Sequence, residues 1–449
     1  MRVLKSQLAS AQRLARECPE AGPRVPRGEA FLATCIFQAY TNEYLIQQPV
    51  ESGAGLSVQF SYITNQESLH SLCEQVSKHR RVAFDTEFVA EDSYRPELCL
   101  LQVATSEGVA IVDPYRVEDL TPFWSSLVAA NHRVVVHAGR EELLFCFRSV
   151  KRLIPNLFDV QLAAAFLGHE YPASYGNIVH RYTGKSLDKE ETRSDWRKRP
   201  LSNQQLQYAA QDVKDLLRLE EEMSSELDAS KRTSWYEEEI RTWQEDLETY
   251  ENSDNWHRIS GIQALSGSSL AIIKALWTWR EQRAREKDMP PRKVLRDDLM
   301  IELARRGNGD ARRMATLRGM EHRHVKQLIP ELVEVIEQAQ NDPIPPWPKK
   351  SRLGRGQPPA MLTQFLAAAL AYICRTKKIS PAVVATSDDL RDFVKYRLEG
   401  HEKDWSPPSL ITGWRAEIVG RELDDLLQGK IGMVLDNLQS DLPIKFHRL

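Results

Sequence analysis

Apolar positions become regular after about residue 57. Leu69, Leu72, Cys73 and Val76 recur at helical spacing and predict one short amphipathic helix. Four strand-like runs follow, Val82–Phe88, Leu98–Ala104, Val109–Asp113 and Arg133–His137. A polar loop with Pro96 separates the first two and the next steps are short. That is the pattern of an antiparallel meander feeding a parallel strand. From Glu141 the period becomes helical, at Glu141–Phe147, Asp159–Leu167, Tyr175–Thr183 and, as one long helix, Ser202–Met223. Strands first and helices after predict an α/β domain, a mixed sheet with flanking helices, over residues 57–223.

The rest of the chain divides by composition. Residues 1–56 carry scattered Arg and Lys with Pro and Gly and read as a flexible extension. Residues 224–255 are strongly acidic and predict a connecting helix. The runs Glu220–Glu222 and Glu237–Glu239 are expected on solvated helix faces. An all-helical unit spans 256–340, a Pro-rich linker 341–359, and a mainly helical module 360–449 with one strand at Ile431–Leu435. The longest apolar run, Phe365–Cys374, is flanked by Arg375, Lys377 and Lys378 and falls well short of the roughly 18 residues of a membrane span. It predicts a buried helix, and no membrane partner is expected.

With 42% hydrophobic and 27% charged residues among 449, pervasive disorder is excluded. The net charge of −3 offers no whole-chain attraction for nucleic acid, so basic surface must be local. Residues 270–326 supply it, with a net charge of +7. Such a module suits tracking of a phosphate backbone. The six cysteines have no C-x-x-C spacing, which argues against a zinc site or disulfide framework and for reduced thiols in the cytoplasm.

Chemistry concentrates in Phe84-Asp85-Thr86-Glu87-Phe88. Strand side chains alternate, so Asp85 and Glu87 share a face, about 7 Å apart. Two carboxylates on an otherwise apolar strand are costly unless cations compensate them, and hard divalent ions prefer such oxygens. Further on, Tyr208 and Asp212 stand at i and i+4, stacked on one helix face. A tyrosine hydroxyl one turn from a metal-binding carboxylate can orient an attacking water.

These motifs resemble the ribonuclease D family of 3′-to-5′ exonucleases. The matching stretches are Val82–Val89 continuing through Tyr94–Val103, then His137-Ala-Gly-Arg-Glu-Glu-Leu143, then Leu187–Leu201 running into Tyr208-Ala-Ala-Gln-Asp-Val213. The resemblance implies a ribonuclease-H-like fold and two divalent cations, Mg²⁺ or Mn²⁺, held by Asp85, Glu87, Asp212 and one acid of the second motif. It also implies release of nucleoside 5′-monophosphates from RNA 3′ ends, such as those of tRNA precursors, through a single-stranded tail entering the site. In the family the second motif ends Glu-Asp-Leu; here the acid is Glu142, which keeps the charge and adds a methylene. Glu141 is its neighbour, turned about 100° around the helix. Arg193, Arg197, Lys198 and Arg199 form a basic stretch suited to phosphate contacts. His137 is expected to be structural, Asp159 to cap a helix, and Trp196 to anchor packing. Leu276–Pro290, Val294–Ala304 and Leu317–Gly319 resemble the HRDC domain, and Trp277 and Trp279 cannot both face its core. The same chemistry on DNA, and a weakened RNA-binding protein, are the alternatives left open; the residues do not give the oligomeric state.

Overall fold

The computed structural model describes residues 57–129, 132–187, 194–346, 360–399 and 407–449. The N-terminal extension and most of the Pro-rich linker, together with Arg193, lie outside the described residues. Among the described residues no helix is long and apolar enough to cross a membrane.

A six-stranded sheet has the order β1-β4-β3-β2-β5-β6. Its strands are β1 (Phe60–Ile63), β2 (Arg81–Val89), β3 (Glu97–Thr105), β4 (Gly108–Val112), β5 (Arg133–Val136) and β6 (Leu157–Asp159). The central strands form the expected meander: β2 pairs antiparallel with β3 and β3 with β4, while β5 runs parallel to β2. The edge strands β1 and β6, of four and three residues, are too short to show a period and escaped the sequence reading. The helix Thr121–Ala129 escaped it too, because it is apolar nearly all round.

Helices cover both faces. On one side lie α1 (Gln66–Lys78), α2 (Thr121–Ala129) and α3 (Arg140–Val150). Phe84 of β2 packs edge-on against Phe123 and Trp124 of α2, with ring centroids 6.0 and 5.9 Å apart. After α4 (Val160–Phe166) and α5 (Tyr175–Thr183), α6 (Asn203–Lys214) lies across the other face, seating Leu206, Ala209 and Ala210 on Leu100 and Ile111. Ser202 and Gln205 start α6 with reciprocal capping bonds. The expected single helix Ser202–Met223 is instead two, α6 and α7 (Leu216–Ala229), broken at Asp215.

The acidic stretch is not merely solvated. Glu220 is 3% exposed and receives Arg81 at 3.1 Å and Arg133 at 2.9 Å. Helix α8 (Thr233–Asn252) buries Tyr236, Ile240 and Leu247 and turns its acids onto arginines, Glu251 onto Arg148 and Arg95, and Glu239 onto Arg415. Acidic residues pair this way because a buried charge must be compensated.

The helical unit α9 (Ser268–Glu286), α10 (Asp297–Arg306) and α11 (Ile329–Ala339) has its own core, built on Trp256, Ile273, Leu276, Leu303, Leu332 and Ile336. Trp277 and Trp279 both lie half-buried at its rim. The C-terminal region differs from the separate module expected. Its helices α12 (Ala360–Thr376), α13 (Ser387–Glu399) and α14 (Arg421–Leu427) place Leu366, Phe393 and Leu423, and the segment before α14 places Trp414, in the same core as the sheet domain. It closes with a hairpin of β7 (Ile431–Leu435) and β8 (Ile444–Arg448), the second strand unforeseen because its residues are mostly exposed.

Trp414 is the keystone of that junction. It is 1% exposed, its ring centroid lies 4.8 Å from that of Phe166, and its indole N–H donates to Glu239 at 2.9 Å. Trp414→Ala should cost about 3–5 kcal/mol and lower the urea midpoint of the sheet domain with that of the C-terminal helices. If only the C-terminal helices loosen while the sheet domain unfolds at its original midpoint, the shared core is not one cooperative unit.

Candidate active site

The middle of β2 presents Asp85 and Glu87 to the face beneath α6. Glu87 lies opposite Leu100 on β3, and the register then slips so that Phe88 faces Leu98 and Cys99 bulges out. A bulge immediately after an acid re-aims the strand end beside the site. Asp212 comes from α6, and Tyr208, one turn earlier, hydrogen-bonds its carboxylate.

Glu142 enters from the first turn of α3 and is 5% exposed. The Thr86 hydroxyl donates to its Oε1 at 2.5 Å. Glu141 is half-buried, 3.9 Å from Arg140. Three separated segments therefore bring Asp85, Glu87, Glu142 and Asp212 within electrostatic reach of one another.

Burial is the largest influence on all four and disfavours their charged forms. Glu87 is pushed up to about 9 by burial and by Asp85, Asp212 and Glu142 together. Asp85 is raised by burial and then by Asp212. Glu142 is raised by burial and Asp85, against the Thr86 bond. Asp212 is raised by burial, with the Tyr208 bond opposing. Among the described residues no Lys or Arg acts on Asp85, Glu87 or Asp212. Among the described residues no three such side chains already close on a single point as an ion's ligands do. The donor set nevertheless suits a divalent cation: oxygens only, a surplus of negative charge, and no basic partner to neutralise it.

The surroundings hold these acids in place. Before α3 the chain turns through Ala138, at φ 54°, and Gly139, where a Cβ would lie 2.5 Å from the Val136 side chain. The Gly139 N–H donates to Asp159 Oδ2 at 2.9 Å, while Asp159 Oδ1 caps α4 by accepting from Gln161 and Leu162. Asp159 is thus a cap, as expected, and also fixes the turn that launches Glu142. His137 contacts the Ala173 carbonyl oxygen at 3.0 Å and packs against Tyr175, 5.6 Å between centroids. The Tyr175 hydroxyl accepts from the Asp215 N–H at 3.3 Å and donates to the Gln211 carbonyl at 3.2 Å. In an unbroken helix those two backbone groups would bond each other. The inserted hydroxyl is what breaks the expected long helix, three residues after Asp212. Sequence reasoning missed Tyr175; only its place at the start of a helix was visible.

The basic stretch divides. Arg193 is outside the described residues. Arg197 is exposed and pairs with Asp195 at 3.0 Å and Asp92 at 3.2 Å, and Lys198 is also exposed. Arg199 corrects the expectation of a phosphate contact. Its guanidinium grips both oxygens of Asp113, at 2.7 and 2.9 Å, and the carbonyls of Trp196, Lys198 and the bulged Cys99. All five donors are spent, so it staples this segment to the sheet. Trp196, 4% exposed, packs near Tyr208 as an anchor. Cys73, Cys99, Cys146 and Cys374 are buried free thiols; Cys18 and Cys35 lie outside the described residues.

Comparison with known proteins follows the same division. A family profile described as 3′-5′ exonuclease matches residues 60–228, and one for the HRDC domain matches residues 269–336. The chain is 32% identical over 364 residues to ribonuclease D of Bartonella henselae, covering 79% of this chain and 87% of that protein. It is 30% identical over 372 residues to ribonuclease D of Escherichia coli, covering 82% and 98%. The crystal structure of Escherichia coli RNase D superposes with a TM-score of 0.71 at 29% identity, over 82% of this chain and 99% of that one.

The raised carboxyls make a prediction about pH. Their ionisation is easier in the unfolded chain, at about 4, than in the fold. The stability they contribute is therefore present below that value and is lost as pH rises, toward about 9 for Glu87. A cation that binds the ionised carboxylates offsets the loss. Added Mg²⁺ should raise the melting temperature little at acid pH and progressively more toward alkaline pH. An Mg²⁺-induced shift of equal size across that range would contradict the arrangement.

Proposed function

The chain belongs to the ribonuclease D family, and on that footing we propose that Asp85, Glu87, Glu142 and Asp212 hold two divalent cations, Mg²⁺ or Mn²⁺, beside Tyr208. The chain is a 3′-to-5′ exoribonuclease, a hydrolase that shortens RNA from its 3′ end. The observation carrying the residue assignment is the convergence of four carboxylates from β2, α3 and α6, Glu142 buried and the other three half-buried, with no basic partner among the described residues for the β2 and α6 acids.

Cations bound there would acidify the attacking water and offset charge developing on the leaving 3′-oxygen. Tyr208, donating to Asp212, keeps its oxygen free to accept from that water and aim it in line with the scissile P–O bond. Cleavage releases a nucleoside 5′-monophosphate and leaves a new 3′-hydroxyl on the shortened strand. Thr86 holds Glu142, so the longer acid reaches its place as a fixed group. Arg197 and Lys198, both exposed, would meet the incoming backbone, with Arg193 assigned by sequence alone. The HRDC unit, with its +7 stretch, would hold the body of the RNA through its phosphates. Escherichia coli RNase D is described as involved in structured RNA processing, which supports structured substrates, tRNA precursors among them, for this chain.

A 5′-labelled RNA oligomer should shorten one nucleotide at a time from its 3′ end, only when Mg²⁺ or Mn²⁺ is present, with a DNA oligomer as comparison. Loss of label from the 5′ end, or undiminished activity in chelator, would defeat the reading. Tyr208→Phe should lower turnover by ~10²-fold or more with RNA binding nearly intact. Activity close to wild type would make the tyrosine merely structural.

Glu142→Gln should lower cation affinity and turnover together, by about 10²-fold in rate, while Glu141→Gln leaves both unchanged. Glu142→Asp should not improve on wild type, since Thr86 already holds the longer side chain. An inactive Glu141→Gln beside an active Glu142→Gln would move the ligand by one residue.

A further inference from the structure

Between Cys99 and Ala104, β3 is apolar except at Gln102. Gln102 is 0% exposed. Neither its amide nitrogen nor its amide oxygen has a hydrogen-bond partner among the described residues. Buried polar groups in folded proteins are nearly always paired. A leucine or methionine would fill the same space without that penalty, so an amide here requires a reason.

The strand register supplies one. Gln102 stands directly opposite Asp85 on β2 and opposite Ile111 on β4. Directly opposed residues of an antiparallel ladder point to the same face, with Cβ atoms about 4.5–5.5 Å apart. That face is the one roofed by α6, where Ile111 packs against Leu206, Ala209 and Ala210. Apolar groups therefore surround the amide on the β4 and α6 sides, and Asp85 is the polar group beside it across the ladder. The Asp85 carboxylate accepts one bond from the Thr86 backbone N–H, leaving acceptor capacity unused.

We propose that Gln102 is a positioning residue for Asp85: its side-chain amide, unpaired in this structure, turns to donate to the Asp85 carboxylate when cations bind and fixes which oxygen faces them. The inference rests on the reading of Asp85 as a ligand. Carboxylates that bind metals are ordinarily held by hydrogen bonds from a surrounding shell, and loss of such a bond typically costs 10–100-fold in metal affinity or activity. The unpaired amide and the ligand carboxylate thus answer each other's need.

The test uses the full chain. Gln102→Leu should weaken Mn²⁺ binding, measured by calorimetry without RNA, by about tenfold or more and lower kcat to match. KM for RNA should stay unchanged and the melting temperature should hold or rise, because the buried unpaired amide is gone. Mn²⁺ affinity and kcat equal to wild type would overturn the proposal. So would a loss of kcat that follows a lower melting temperature while Mn²⁺ affinity is kept. Should the leucine variant fail to fold, Gln102→Met, which keeps the unbranched shape, takes its place with the same criteria. Asp85→Asn separates the two levels. If it remains active, the assignment of Asp85 falls and the proposal with it. If it is inactive while Gln102→Leu behaves as wild type, only the role of Gln102 falls. In the Asp85→Asn background, Gln102→Leu should change Mn²⁺ affinity no further; an additional loss of full size would show that the amide acts elsewhere.

Discussion

Repulsion among four carboxylates in one poorly solvated corner sets the terms for the rest of the molecule. Two like charges 5 Å apart repel by roughly 3 kcal/mol at an effective dielectric constant of 20. Several such pairs rival the 5–15 kcal/mol by which a whole domain is ordinarily stable. The fold tolerates the acids by disfavouring their charged forms and by anchoring them on three rigid elements. Asp85 and Glu87 sit in the centre of the sheet, Glu142 on the first turn of α3, and Asp212 at the end of α6. None can relax away from the others without moving an element of the core.

The anchoring is specific. Asp159 ties the end of β6 to the turn before α3, and Gly139 lets that turn press against Val136. Tyr175, braced by His137, parts α6 from α7 immediately beyond Asp212. Arg199 gathers the end of β4, the bulge of β3 and the segment leading into α6 into one staple. Each of these residues satisfies backbone groups that the site's irregular geometry leaves open, and so stiffens the frame without entering the chemistry. Stiffness matters because hydrolysis of a phosphodiester depends on aligning the attacking water with the phosphorus and the leaving oxygen.

The parts outside the sheet domain contribute differently. The HRDC unit has a core of its own and touches the sheet domain through polar groups, Lys293 on Asp92 at 2.9 Å and Tyr94 on Glu281 at 3.1 Å. The C-terminal helices share the main core and are welded to it through Trp414, Arg415 and the acids of α8. The acidic run that reads as a solvated face is a set of sockets for arginines.

Periodicity and spacing determined the central meander, the helices with clear apolar faces, and the pairs Asp85–Glu87 and Tyr208–Asp212, while Glu142 followed from the family resemblance. Alternation in β2 put Asp85 and Glu87 on one face, and the i, i+4 spacing in α6 stacked Tyr208 with Asp212; both are consequences of local geometry that the chain carries in itself. The capping pattern at Ser202 and the cap at Asp159 were local for the same reason. Tertiary structure decided what depends on contacts distant in sequence. A hydroxyl from Tyr175 broke a helix whose own pattern was continuous. A carboxylate at Asp113 claimed Arg199, and half-buried arginines claimed Glu220 and Glu239. The amphipathic C-terminal helices found their missing apolar partner in the sheet domain. Local spacing records which face a side chain takes, whereas its partner on that face is chosen by packing and by the need to compensate every buried charge and polar group.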